Sequence, residues 1–239
     1  MFTTWLTRIQ KRMTEQQEAW ESRLAQASGS LCCSSSSPER TPIDPAGFFQ
    51  GKSLFYTLRF ICRILPKIIK SGRGITDSFT TLTDNPESPR TRASDTFVSH
   101  LQQYCHSLGA DMLGYTTVEP HHIFRGLAVL YPHVIVLIKE MDAEKLQQAP
   151  SFATSEMIHD TYAELGEIAN RVAGFLRENG FGAQAGPALG GSTIYPVLAY
   201  EAGLGAIGAH GLLITPRFGS RQRIAVVYTS IENLPRTET

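Results

Sequence analysis

Charge is scarce in this chain. Charged residues make up 18% of its 239 positions, below the quarter usual for globular domains. The charge that exists is balanced: Lys plus Arg and Asp plus Glu each total 22. No basic excess is therefore available for nucleic acid, and none is expected as a partner. Cysteine is sparse as well. Cys32, Cys33, Cys62 and Cys105 have none of the spacings of a zinc ribbon, a CxxC redox site or an iron–sulfur run. The seven histidines form no HxH or HExxH pattern, so no protein-only metal site is expected. A GxSxG elbow and a GxxxxGK[ST] loop are also missing. No charged n-region followed by an apolar h-region opens the chain, so no secretory signal is read, and cytoplasmic residence fits the cysteine usage.

What is present divides into three segments. Residues 1–45 combine a polar helix, with Trp5, Ile9, Met13 and Trp20 as a loose stripe, and a flexible Ser-rich linker. Residues 46–93 hold a basic amphipathic helix over 53–70 and a long loop after it. There Leu54, Leu58, Ile61, Leu65 and Ile68 lie opposite Arg59, Arg63, Lys67 and Lys70, with a kink at Pro66. Such a helix either packs on the core or meets a membrane surface or a partner. Residues 94–239 read as the compact domain. A helix from Phe97 to Leu108 stops at Gly109, and a doubly buried strand runs over Val134–Ile138. Ile158, Tyr162, Leu165, Ala169, Val172 and Leu176 mark a long helix ended by Gly180. Helices preceding strands across long connections predict a layered α/β or α+β domain.

The most pointed stretch is Tyr195 to Tyr228. A short helix breaks at Gly203, Gly205, Gly208 and Gly211 follow, and a strand closes it from Ile224 to Tyr228. Glycines so dense mark either a turn-rich crossover or backbone approached closely by a flat ligand. A GxGxxG dinucleotide site is excluded by context, because the glycines follow a helix and precede a strand. Tyr195 and Tyr200 are candidate proton donors, with His210, Arg217, Arg221 and Arg223 as assisting charges. Ser192 and Thr193 are candidate caps or ligand contacts at the start of that helix.

Ala202-Gly-Leu-Gly205, Ile207-Gly208, Leu212-Leu-Ile214, Phe218-Gly-Ser220 and the strand to Tyr228 together resemble the corrinoid-binding core of the epoxyqueuosine reductase and reductive dehalogenase family. The resemblance implies an α+β, nitroreductase-like domain with a central sheet flanked by helices. It implies cobalamin lying against Gly203, Gly205, Gly208, Gly211 and Leu212, with Ser192, Thr193 and His210 contacting the ring or its side chains. In the family, iron–sulfur clusters of a further module supply the electrons; here they would come from an external donor, from a cluster-bearing partner, or from a C-terminal module that lies outside this sequence. The reaction implied is transfer of electrons from reduced cobalt to a small organic substrate. In the dehalogenating branch a tyrosine with a basic neighbour delivers the proton, and Tyr195 is the first expectation for it, with Tyr200 second. Two other readings stay open: a cobalamin carrier without catalysis, and a degenerate member acting through residues 53–70.

Overall fold

The computed structural model describes residues 2–40 and 54–236. Residues 41–53, which hold the expected boundary between the first two segments, lie outside the described residues, as do the side chains of Trp5, Ile9 and Met13. In chain order the elements are α1 (Phe2–Gln26), β1 (Leu31–Cys32), α2 (Leu54–Arg63), α3 (Leu65–Thr80), α4 (Asp95–Ser107), β2 (Met112–Thr117), β3 (Ala128–Val129), β4 (His133–Glu140), α5 (Ala143–Gln147), α6 (Phe152–Glu178), β5 (Ala183–Gly186), α7 (Tyr195–Glu201), β6 (Ala206–Ile207), β7 (Leu213–Ile214) and β8 (Gln222–Thr229).

The core is a four-stranded sheet in the order β2-β4-β8-β5, antiparallel at every pairing. Strand periodicity assigns its two faces. Ile135, Leu137, Ala225 and Val227 point toward α6, against Leu165, Ala169, Val172 and Leu176. Val134, Val136, Ile138, Val226 and Tyr228 point the other way, against Tyr195, Leu198, Ala199 and Leu213. The apolar run of β4 is fully buried because helices cover both of its sides. Ser151 starts α6 by accepting a hydrogen bond from Thr154 N at 3.1 Å, and Gly180 follows its end at φ +80°.

Two expectations change. Residues 72–80, read as loop, continue α3, and a short 3₁₀ turn over Thr81–Asp84 follows. Gly74 serves helix packing here. Its carbonyl accepts from Asn170 Nδ2 at 2.8 Å, and a Cβ on it would lie 3.7 Å from Gly166 Cα, so α3 and α6 cross closely. The basic stripe of α2 and α3 meets the acidic side of α6. Arg63 Nη2 donates to Glu156 Oε2 at 2.7 Å, Lys67 pairs with Asp160, and Arg59 lies 5.0 Å over the Phe152 ring. Its break falls at Ile64, with Pro66 in the first turn of α3.

The serine-rich segment is ordered against the rest of the chain. β1 pairs with β3, and buried Ser37 donates to Pro120 O at 2.9 Å. Upstream, Trp20 stacks on Phe79 at 5.4 Å. Glu21, only 4% exposed, takes a bidentate ion pair from Arg40 at 2.7 and 3.0 Å. Arg40 and Gln17 both donate to the Gly190 carbonyl at 3.2 Å. No helix among the described residues is long and apolar enough to cross a membrane.

Candidate functional site

The glycine stretch folds into a small hairpin. β6 pairs with β7, and the turn between them closes through Gly208 N to Leu212 O and Gly211 N to Gly208 O, each 2.9 Å. Each glycine has a local reason. Gly203 (φ +71°) follows the end of α7, and Gly211 (φ +76°) completes the turn. A Cβ on Gly205 would stand 2.3 Å from Ile214 O, so the hairpin's own backbone occupies that space. At Gly208 it would meet His210 Cε1 and Ile214 Cδ1 at 2.8 Å. The hairpin nevertheless presents an apolar shelf. Tyr200 (47% exposed), Ile207 (41%), Leu212 (52%) and Ile214 (41%) stand in solvent, with exposed His210 and Gly211 beside them.

The residues expected to meet the ligand separate into two groups. Gly208, His210, Gly211, Leu212 and Tyr200 lie on or beside the shelf. Ser192, Thr193 and Tyr195 are buried beneath it. Ser192 O accepts from Phe124 N, Thr193 Oγ1 lies 2.8 Å from the Tyr228 hydroxyl, and Tyr195 O–H donates to Pro187 O at 2.9 Å. Gly191 makes room for that hydroxyl: a Cβ there would lie 2.1 Å from it. Burial raises the Tyr195 phenol well above its ordinary value, and the adjoining Tyr228 raises it further.

The charges expected to assist these tyrosines are engaged elsewhere. Arg221 pairs with Glu140, Arg217 lies 4.9 Å over the Phe218 ring, and His210 Nδ1 accepts from Leu212 N at 3.1 Å. Arg223 lies over a different tyrosine, Tyr162 of α6, with its guanidinium carbon 4.6 Å from the ring centroid. No carboxylate among the described residues pairs with Arg223, and its Nε is buried without a partner. It stands directly opposite Lys139 in the sheet, a like-charge pairing that sheets disfavour. Lys139 is relieved by Glu164 at 3.4 Å; Arg223 is not.

Gln222 and Arg223 tie the shelf and this pair to one end of the sheet. Gln222 Nε2 donates to Leu213 O at 2.7 Å on one face, holding the hairpin. The next residue, Arg223, points to the opposite face and covers Tyr162. Sequence reasoning placed Tyr162 in the apolar stripe of α6. The signal for its contact with Arg223 was the inward set Arg223, Ala225, Val227, which puts a cation on a core-facing position.

A second ionisable pair sits at the root of the hairpin. His122, 1% exposed, takes Glu119 N–H on Nδ1 at 3.2 Å and places Nε2 3.1 Å from Glu201 Oε1. These contacts select the neutral Nε2–H tautomer. Burial lowers the affinity of His122 for a proton, aided by His121, against the opposing pull of Glu201 and Glu119. Glu201 ends α7 and also receives Thr116 Oγ1 at 3.4 Å, which ties the start of the glycine stretch to β2. No group of three or more His, Cys, Asp or Glu among the described residues is arranged to hold a metal ion.

Over 128 residues, 53% of its length, the chain is 38% identical to a tetrachloroethene reductive dehalogenase of Desulfitobacterium hafniense. The corresponding enzyme of Dehalobacter restrictus is 37% identical over the same length. The chain is homologous to the reductive dehalogenases. It spans 22% of the length of these dehalogenases. No family model matches it. Among solved structures, a catabolic reductive dehalogenase in complex with 3-bromo-4-hydroxybenzoic acid superposes with a TM-score of 0.58 at 18% identity, over 71% of this chain and 27% of that one. A reductive dehalogenase described as acting by B12-dependent dehalogenation gives 0.54 at 16% identity, over 72% and 29%. The expected α+β fold, a nitroreductase-like central sheet flanked by helices, is the fold shared with these dehalogenases. Epoxyqueuosine reductase is a more distant likeness, with a TM-score of 0.48.

Proposed function

We propose that this chain forms the corrinoid-facing core of a reductive dehalogenase-like reductase, with Tyr162 as its proton donor and Arg223 as the basic neighbour. The observation that carries the reading is the Arg223–Tyr162 contact at 4.6 Å, made by an arginine that has no carboxylate partner among the described residues. Tyr195 is the weaker choice, since its proton is committed to Pro187 O inside the core. Tyr200 is exposed at the shelf edge and would contact the ligand from there.

The shelf suits a large flat ligand. Tyr200, Ile207, Leu212 and Ile214 are apolar side chains left in water, and covering them removes that cost. Gly211 has open space where a Cβ would point, so the backbone can be approached there. Cobalamin, when bound, supplies the reducing cobalt chemistry. Leu212, Ile207 and His210 would hold the ligand at the shelf. Gly203, Gly205 and Gly208 would shape the hairpin beneath it, and Ser192, Thr193 and Tyr195 would support the loop that carries it. Arg223 would stabilise negative charge developing on the Tyr162 oxygen as its proton leaves. Electrons would come from outside these residues, from an external donor, a cluster-bearing partner or a further module, and the substrate would be a small organic molecule.

The deciding experiment is anaerobic titration with cobalamin, followed by turnover of a halogenated substrate with a chemical reductant, for the protein and its Tyr162→Phe variant. The reading expects saturable corrinoid binding by both and turnover lost in the variant by about 100-fold or more. Equal turnover would refute the role of Tyr162. Folded protein without any corrinoid affinity would refute the whole reading, whereas binding without turnover in either would select a carrier.

A further inference from the structure

The basic amphipathic helix is packed by its charged side. A surface helix ordinarily turns its apolar stripe to the core and its charges to water. Here Arg63 and Lys67 face α6, on Glu156 and Asp160. Phe60 and Ile64, 8% and 0% exposed, supply the apolar contact. The remaining face of α2 and α3 is left to solvent. Phe55, Leu58, Cys62, Pro66, Ile69 and Arg73 are all exposed and recur along it at helical spacing, as one stripe. Phe55 is 75% exposed, Leu58 53% and Ile69 45%. Side chains of this size gathered on one outer face mark a surface that something else covers.

Charge decides what fits there. Arg59 and Arg73 are exposed along the stripe, and Lys70 stands at its margin. Little opposes them. Asp77 is the only acidic residue of α2 and α3, and Glu167 of α6 lies 4.0 Å from Lys70 with both side chains more than half exposed. Arg73 makes no ion pair among the described residues. A second copy laid on this face would set the same three cations against themselves. A protein partner would bury Arg73, which lies in line with the apolar residues, where the cores of protein interfaces are depleted of charge. An anionic lipid surface accepts both kinds of side chain. Apolar groups enter the boundary between headgroups and acyl chains, while arginine and lysine stems run alongside and carry their charge to the phosphates.

We propose that the outer face of α2 and α3 docks the protein flat on an anionic lipid surface. Phe55, Leu58 and Ile69 enter the headgroup boundary, and Arg59, Lys70 and Arg73 meet lipid phosphates. From Phe55 to Ile69 the apolar stripe extends about 20 Å along the helix axis, parallel to that surface. The ion pairs to α6 hold the helices in place from the other side.

Flotation with vesicles tests this. Phosphatidylcholine vesicles carrying about one-third phosphatidylglycerol should bind the protein at least about tenfold more tightly than phosphatidylcholine alone, and the preference should shrink as salt rises. Phe55→Ser combined with Leu58→Ser should weaken that binding about tenfold or more, with the urea midpoint unchanged because both side chains already stand in water. Arg73→Gln should cost roughly fivefold on anionic vesicles and nothing on neutral ones. Ile207→Ser with Leu212→Ser, on the other exposed apolar patch, should bind as the unaltered protein does. Failure to bind anionic vesicles overturns the proposal. So does binding that survives the Phe55 and Leu58 changes, or that is lost with those at Ile207 and Leu212. A dimer that the Phe55 and Leu58 changes dissolve would assign the face to a second copy and overturn it as well. None of these readouts involves a corrinoid, so the proposed function and this docking face fail separately.

Discussion

The ion pair between Glu21 and Arg40 offers the sharpest test of how the N-terminal segment is held. Replacing Arg40 with Met keeps most of the aliphatic stem and removes the charge. Glu21, 4% exposed, is then left as a buried carboxylate, and the Gly190 carbonyl loses one of its two donors. Breaking a buried pair by deleting one partner costs about 3–5 kcal/mol. Arg40 is itself 30% exposed, so water can reach the vacated space, which argues for the lower end, about 3 kcal/mol. In a chain of this size that corresponds to a melting point lower by roughly 6–12 °C. The double variant Glu21→Gln with Arg40→Met removes the stranded charge and should recover about half of the loss or more. The assay is urea unfolding of the four proteins of the cycle. A loss below about 0.5 kcal/mol in Arg40→Met would refute the reasoning, because it would mean that residues 14–40 are not seated against the 187–191 loop.

The other expectations follow from single contacts. Gly205→Ala should destabilise strongly, by about 2–4 kcal/mol, since its Cβ meets backbone at 2.3 Å, whereas Gly208→Ala meets movable side-chain ends and should cost about 1 kcal/mol; urea midpoints separate the two. Stability should also fall in mild acid. His122 binds a proton less readily folded than unfolded, so its contribution is complete above its unfolded value near pH 6.5 and is lost as pH drops from there toward the depressed folded value. His122→Gln, which can still donate to Glu201, should flatten that slope between about pH 6.5 and 5, read by unfolding at each pH. An unchanged slope would mean that His122 is not the titrating group.

The parts of the fold legible in the sequence were those written in short-range pattern. The spacing of Leu165, Ala169, Val172 and Leu176 marked α6, the apolar run from Val134 marked β4, and Gly109, Gly180 and Gly203 marked helix ends. What escaped was set by partners far away in the chain. Gly72 and Gly74 read as loop residues because nothing local shows that Gly166 and Asn170 will lie against Gly74. The serines before Pro38 read as linker because their acceptor, Pro120 O, is 83 residues away. The candidate site was half legible. Its glycine hairpin showed in composition, but Tyr162 sits at an ordinary helix-stripe position, and only the sheet register brings Arg223 onto it.

The strand order has a consequence for how the chain is made. β8 lies in the middle of the sheet yet is the last of its strands to leave the ribosome. Until residues 222–229 emerge, β5 has no strand to pair with, and β4 is bonded along one edge only. Between the emergence of residue 186 and that of residue 222, the nascent chain therefore carries open, apolar edges on both β4 and β5, a state that invites chaperones or self-association. Assembly of the core becomes a single late event, in which β8 arrives, closes both edges and at the same moment brings Gln222 to the hairpin and Arg223 to Tyr162. A chain stalled before that strand would have neither a complete sheet nor a site.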